Sequence, residues 1–288
     1  RRVILSGLCG SATAMLLSRL KKLQKPYIIV ADDPDAAGYI YHDLSRLCAD
    51  ADNSVKYFPS GYRRDIKYGQ PDPPAQILRT EALDAWNTGK MRFLVTSPEA
   101  LAEKVPAPGG IAAKRIVVKK GMEIPVKEIR QQLLDIGFRQ TDYVYEPGQF
   151  AVRGSILDVY SYACPQPYRI DFFDTEVDSI RNFDVETQLS TETPDEVTIM
   201  PDMAAEEQNG GVSLLDFAGE DTVLFAADPQ FVQQRIESIA ASTLATEVDI
   251  TGEGDPDALL KVVSPKAFAA AMQKMRTVVY GAAKEAAK

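Results

Sequence analysis

Residues 7–14 read GLCGSATA and follow the short apolar run Val3-Ile4-Leu5. A buried strand, a glycine-bearing turn and then a helix is how nucleotide-binding parallel sheets begin, so this stretch decides the fold class. Laid over the phosphate-loop pattern G-x-x-x-x-G-K-[ST], it places Ala12, Thr13 and Ala14 where Gly, Lys and Ser/Thr belong. No lysine is there to reach the phosphates and no hydroxyl to hold magnesium, and a methyl group stands where the backbone should approach the ligand. Gly7, Gly10, Ser11, Ala12, Thr13 and Ala14 therefore form a degenerate phosphate loop. Its glycines relieve a tight strand-to-helix turn, and backbone N–H groups at the helix start are the only anion-binding feature it retains. The expectation is a chain with no catalytic residue, no metal, no cofactor and no ATP hydrolysis of its own.

Outward from this loop, strands and helices alternate. RRVILSG reads as a buried strand, SATAMLLSRLKKL as a helix, PYIIVADD as a strand ending in acids, and PDAAGYIYHDLSRLC as an amphipathic helix. SVKYFPS, AQILRTEALDAWNTG and RFLVTSPEAL continue the alternation, and so, much later, do VLFA with a helix from Pro229, then VVS, PKAFAAAMQKM and RTVVYG. Such alternation predicts a parallel sheet with right-handed crossovers. The middle differs. The helix VKEIRQQLLDIGF, with Val126, Ile129, Leu133, Leu134 and Phe138 assigned to one face, precedes strand signals in FRQTDYVYEPGQFAVRG, SILDVYSY, YRIDFFD and VDSIRNFD. The fold class is α/β: a parallel-sheet, helicase-like domain interrupted by a small α+β insert. The expected divisions are residues 1–115 and 201–288, the two halves of the α/β domain, and residues 116–200, the insert.

Composition narrows the function. Of 288 residues, 45% are hydrophobic and 25% charged, ordinary for a globular protein, and the net charge of −9 disfavours long-range attraction to nucleic-acid phosphates. Cys9, Cys48 and Cys164 lack the spacing of a zinc site or a disulfide framework, and the single histidine, His42, sits at helical spacing without partners nearby in sequence. No apolar run reaches the roughly 20 residues of a membrane span, and the expected location is cytoplasmic. A start at Arg1 rather than Met and an ending in AAKEAAK fit a piece of a longer chain.

Asp32, Asp33 and Asp228 close strands ahead of proline-marked helices and read as helix caps rather than metal ligands. In YRRDIKYG, Arg63, Arg64 and Lys67 alternate with Tyr62 and Tyr68, either a solvated loop or a nucleic-acid grip with aromatic platforms. In RGSILDVY, read as one strand, alternation places Gly154, Ile156 and Asp158 on one face and Arg153, Ser155, Leu157 and Val159 on the other. Arg169 opens the strand RIDFFD and shares a face with Phe173. Two arginines and an aromatic are the residue types that dominate binding hot spots. The structural alternative buries Phe173 and pairs the arginines with Asp171 or Glu176.

FAVRGSILDVY followed by PYRIDFFDTEVDSIRNFDVETQ resembles the module shared by bacterial transcription-repair coupling factors and the excision-nuclease subunit UvrB, in the region that docks onto UvrA. GLCGSATAMLL, YFPSGYRRD and VTSPEAL fall where that family places its first parallel domain. UvrB keeps an intact G-S-G-K-T and an aromatic-rich hairpin, so Ala12-Thr13-Ala14 and the lack of a YY-rich segment place the resemblance with the coupling factors. The resemblance implies that Arg153, Arg169 and Phe173 contact UvrA, on a surface that another domain masks until activation. It also implies an adaptor that brings UvrA to RNA polymerase stalled at a lesion, with ATP-driven translocation on DNA left to other domains. The alternative is a degenerate helicase-like module that binds DNA through Tyr62, Arg63 and Arg64.

Overall fold

Asp33-Pro34, Asp72-Pro73, Ser97-Pro98, Asp228-Pro229 and Ser264-Pro265 share one pattern: a short polar residue, then a proline whose fixed φ suits the first helical position and whose missing N–H costs nothing there. The computed structural model describes residues 2–23, 25–49, 54–63, 70–203, 211–251 and 261–281, and a helix begins at each of those prolines. Asp33 Oδ1 accepts from the N–H of Ala36 at 2.8 Å, and Asp228 Oδ1 from those of Gln230 and Phe231 at 3.0 and 3.1 Å. These carboxylates are helix caps.

The strands, in chain order, are β1 (Arg2–Ser6), β2 (Tyr27–Val30), β3 (Val55–Phe58), β4 (Tyr62–Arg63), β5 (Gln70–Pro71), β6 (Phe93–Thr96), β7 (Ile116–Lys119), β8 (Arg139–Gln140), β9 (Gln149–Arg153), β10 (Ile156–Val159), β11 (Tyr168–Phe173), β12 (Glu176–Asn182), β13 (Glu196–Ile199), β14 (Val223–Ala226) and β15 (Arg276–Gly281). Six of them form one parallel sheet in the order β1-β15-β14-β2-β6-β3. The last two strands of the chain thus lie inside the sheet that the first strands begin, and the fold class is the expected one. The chain divides into two compact units, Arg1–Pro108 with Ala204–Lys288, and Gly109–Met203.

In the first unit the central strands are apolar along their whole length because both faces are covered: Ile28, Ile29, Phe93, Leu94 and Val95 are all fully buried. Each such side chain contributes about 1.5–3 kcal/mol relative to exposure. The strand β1 departs from its reading as a buried strand. It pairs only with β15 at the sheet edge, and Val3 and Ile4 are 52% and 71% exposed. An apolar run reads alike at the centre and at the edge of a sheet, because only the neighbours differ. VVS also departs from its reading as a strand: Val262 makes an isolated bridge to Glu103.

Where β3 leads into the loop at Pro59, Arg79 and Glu103 form an ion pair at 2.9 Å with side chains only 2% and 1% exposed. Glu103 also accepts from Ser60 Oγ and, at 2.9 Å, from the N–H of Gly61, while Arg79 donates to the carbonyls of Pro59 and Lys104 and lies 4.3 Å from the Phe58 ring centre. A Cβ at Gly61 would lie 2.5 Å from Gln76 Nε2 and 3.1 Å from Arg79 Cδ, so a side chain there would force Gln76 to move.

The second unit packs the helix Val126–Asp135 on a sheet in the order β12-β11-β10-β9-β8, beside the separate pair β13-β7. Ile129, Leu133, Phe138, Phe150, Leu157, Val159, Ile170, Phe172, Val177 and Ile180 form its core. Leu134, assigned to the buried face of the helix, is 37% exposed, because it lies a third of a turn from Leu133.

Candidate docking face

The strands β9 and β10 are two arms of a hairpin, not one strand. Arg153 pairs with Ile156 across the turn Gly154-Ser155, where Gly154 takes φ 63°. Residues that pair across strands share a face, so Arg153 lies on the side of Ile156 and Asp158, opposite to the side that alternation through RGSILDVY gives. Asp158 pairs in turn with Arg169 of β11. On β11, Tyr168, Ile170 and Phe172 are buried, whereas Arg169 and Asp171 are half-buried and Phe173 is 77% exposed. Arg153, Arg169 and Phe173 therefore all belong to the outer face of the sheet, away from the helix and the core.

That face is organised by a carboxylate. Asp158 is 1% exposed. Its Oδ1 accepts from Arg169 Nε at 2.7 Å, and its Oδ2 from Arg169 Nη2 at 2.9 Å and from Arg153 Nη2. The structural alternative pairs the arginines with Asp171 or Glu176; the partner is Asp158, while Asp171 pairs with Arg181 on β12. Arg153, Arg169 and Arg181 thus face Asp158 and Asp171, and Glu176, which pairs with Phe173, adds a third carboxylate to the same face.

The two arginines are held differently. Arg169, with its side chain 18% exposed, also donates to Gln188 Oε1 at 3.0 Å and lies 4.4 Å from the Phe183 ring centre. Hydrogen bonding to Asp158 raises its guanidinium above the ordinary value, more than burial lowers it. The turn that brings Gln188 there is built by Asp184, whose carboxylate accepts from the N–H and then the hydroxyl of Thr187 and is held below its ordinary pKa by them. Arg153 is 38% exposed, has Asp158 as its ion-pair partner and lies 5.1 Å from the ring centre of Tyr143, itself 55% exposed beside Tyr145. Reading RGSILDVY as one strand separates Arg153 from Asp158, and Tyr143 and Gln188 lie outside that stretch. For Arg153 the available signal is the Gly154-Ser155 pair before Ile156, because it marks a hairpin turn and reverses the count of faces.

The other expected sites lie in the first unit. Gly7 and Gly10 take φ 83° and 54°, and the helix Ala12–Leu20 starts where a phosphate loop would end. Thr13, at the lysine position, and Ala14 are buried, and Ser11 Oγ donates to Asp43 Oδ2 at 2.6 Å. A carboxylate beside a helix N-terminus opposes a phosphate there. Tyr62 is 6% exposed with Lys261 5.6 Å from its ring centre, so it offers no open stacking surface. Arg64, Lys67 and Tyr68, and the side chain of Arg63, lie outside the described residues. His42 is exposed on the helix Pro34–Leu47. Among the described residues no helix is long and apolar enough to cross a membrane.

Residues 116–204 match the family described as the UvrB interaction domain. Transcription-repair-coupling factors align with most of the chain: that of Escherichia coli is 27% identical over 81% of it, that of Bacillus subtilis 29% over 69%, and that of Myxococcus xanthus 30% over 70%. The chain is a homologue of the transcription-repair-coupling factors. It spans only 17% to 20% of the length of these relatives. The outer face with Arg153, Arg169 and Phe173 falls inside the UvrB interaction domain, and the degenerate phosphate loop falls outside it.

Proposed function

We propose that this chain is the docking module of a transcription-repair coupling factor, which binds UvrA through the outer face of its insert and so recruits it to RNA polymerase stalled at a DNA lesion. The observation that carries this reading is the open charge cluster: Arg153 on β9 and Arg169 on β11 share a single carboxylate on the strand between them, on the face that also carries the exposed Phe173. Arg153 engages Asp158 through Nη2 alone and keeps further N–H groups to donate. A carboxylate from UvrA would complete the cluster, with Phe173 and Tyr143 as apolar contact, charge steering the encounter and the arginine pairs setting dissociation.

The α/β unit serves as scaffold in this proposal and has no ATPase activity. Thr13 in place of lysine and Asp43 beside the helix start support that part. RNA polymerase and DNA would be engaged by other parts of the longer protein, in the cytoplasm. Capture of purified UvrA on the immobilised chain is the test: retention expected for the wild type, loss for an Arg153→Ala, Arg169→Ala pair that stays folded. Equal capture by both chains would remove the docking face, and magnesium-dependent ATP turnover by the wild type would remove the scaffold assignment.

A further inference from the structure

We infer that Asp158 is a positioning residue for this docking face: it presets both guanidiniums in the geometry in which an acidic partner meets them. The inference rests on the docking reading above. A flexible arginine on a free surface samples many rotamers and loses that freedom on binding; one already held by an internal carboxylate has lost it during folding, and binding is correspondingly tighter. Asp158 has the placement such a role requires. It stands on the middle strand β10 between the two strands that carry the arginines, it is 1% exposed and so out of a partner's reach, and it engages both arginines at once.

The division of labour within the cluster follows from the contacts. Arg169 is fixed on every side: a bidentate pairing with Asp158, Gln188 on Nη2 and the Phe183 ring against its face. Arg153 donates to Asp158 through Nη2, leaving other N–H groups for a foreign carboxylate. Asp158 thus couples a locked arginine to an available one, and the partner reads the second.

Two accounts of Asp158 predict opposite signs. If it merely neutralises the patch, Asp158→Asn adds a positive charge and strengthens the binding of an acidic partner. If it positions the arginines, the same variant weakens binding although the patch has become more positive. The experiment is a kinetic measurement of UvrA binding to the wild-type chain and to Asp158→Asn, Arg153→Ala and Arg169→Ala, at low and high salt, with thermal unfolding of each as a check on folding. For a folded Asp158→Asn we expect dissociation about tenfold faster, with association at low salt no slower than the wild type, because mutational effects on affinity fall mainly on dissociation. Dissociation that stays unchanged or slows, while the arginine variants still bind weakly, overturns the positioning role and leaves the docking reading standing. Normal binding by both arginine variants overturns the docking reading and this inference with it. If Asp158→Asn does not fold, a double-mutant cycle on Arg153 and Arg169 decides: a carboxylate that couples them makes their effects non-additive, and strict additivity overturns the inference.

Discussion

Each unit of the molecule contains an arginine–carboxylate cluster, and the two differ in exposure. In the α/β unit, Arg79 and Glu103 pair with side chains only 2% and 1% exposed, and are tied further to Ser60, Gly61 and the carbonyls of Pro59 and Lys104. In the insert, Arg153 and Arg169 share Asp158, and Arg153 keeps more than a third of its side chain in contact with solvent. A closed, buried pair is a structural fastening: removing either member leaves a charge in a medium that solvates it poorly. An open cluster has already met the desolvation cost of its carboxylate and still offers donors outward. Under the docking proposal the same residue types carry stability in one unit and recognition in the other, and exposure tells them apart.

The sharpest way to break this contrast is to cut the closed pair. Arg79→Ala or Glu103→Ala is expected to destabilise the chain by about 3–5 kcal/mol, since each takes an ion-pair partner from a buried charge. Urea unfolding followed by circular dichroism measures it, and a loss below about 1 kcal/mol, the level of an exposed pair, would show that the node is solvated and the contrast false.

Smaller and different in kind is the effect of opening the second cluster further. Arg153→Ala is expected to weaken UvrA binding by about 1–3 kcal/mol while leaving the unfolding midpoint near the wild type, because its side chain is partly exposed and its loss leaves Asp158 still paired with Arg169. Arg153→Lys should recover only part of the loss, for an ammonium reproduces the charge but not the planar fork. Full recovery by lysine would reduce the site to a point charge.

How much of this is legible in the sequence follows from where the determining forces are local. Helix starts are readable because Asp33-Pro34 and Asp228-Pro229 act within one turn of chain. The return of the chain into the first sheet is readable because VLFA and the Val278-Val279-Tyr280 run of RTVVYG have the apolar character of parallel strands, each next to a helix signal. The exposure of Val3 and Ile4 is not, since it depends on which strands flank β1. Arg153, Arg169 and Phe173 are pointed to by resemblance. What alternation alone gives for Arg153 is the wrong side, because Gly154-Ser155 is a turn and the count must restart after it. Asp158 is hidden for a further reason: a buried carboxylate in an apolar strand looks like an interruption until the cross-strand arginines are known.

The mildest perturbation tests how far the open cluster extends. Tyr143 lies 5.1 Å from the Arg153 guanidinium and is 55% exposed, so it can stack on the arginine and also contact a partner. Cation–π pairs at exposed sites contribute about 0.5–1 kcal/mol. Tyr143→Ala is expected to weaken UvrA binding by about that amount, and Tyr143→Phe, which keeps the ring, to leave it nearly unchanged. Because the ring supports Arg153 and not Arg169, its effect should vanish in an Arg153→Ala background and persist in an Arg169→Ala background, as isothermal titration of the four chains would show. Persistence in both would mean that Tyr143 contacts UvrA on its own account, and the docking face would then reach beyond the cluster that Asp158 organises.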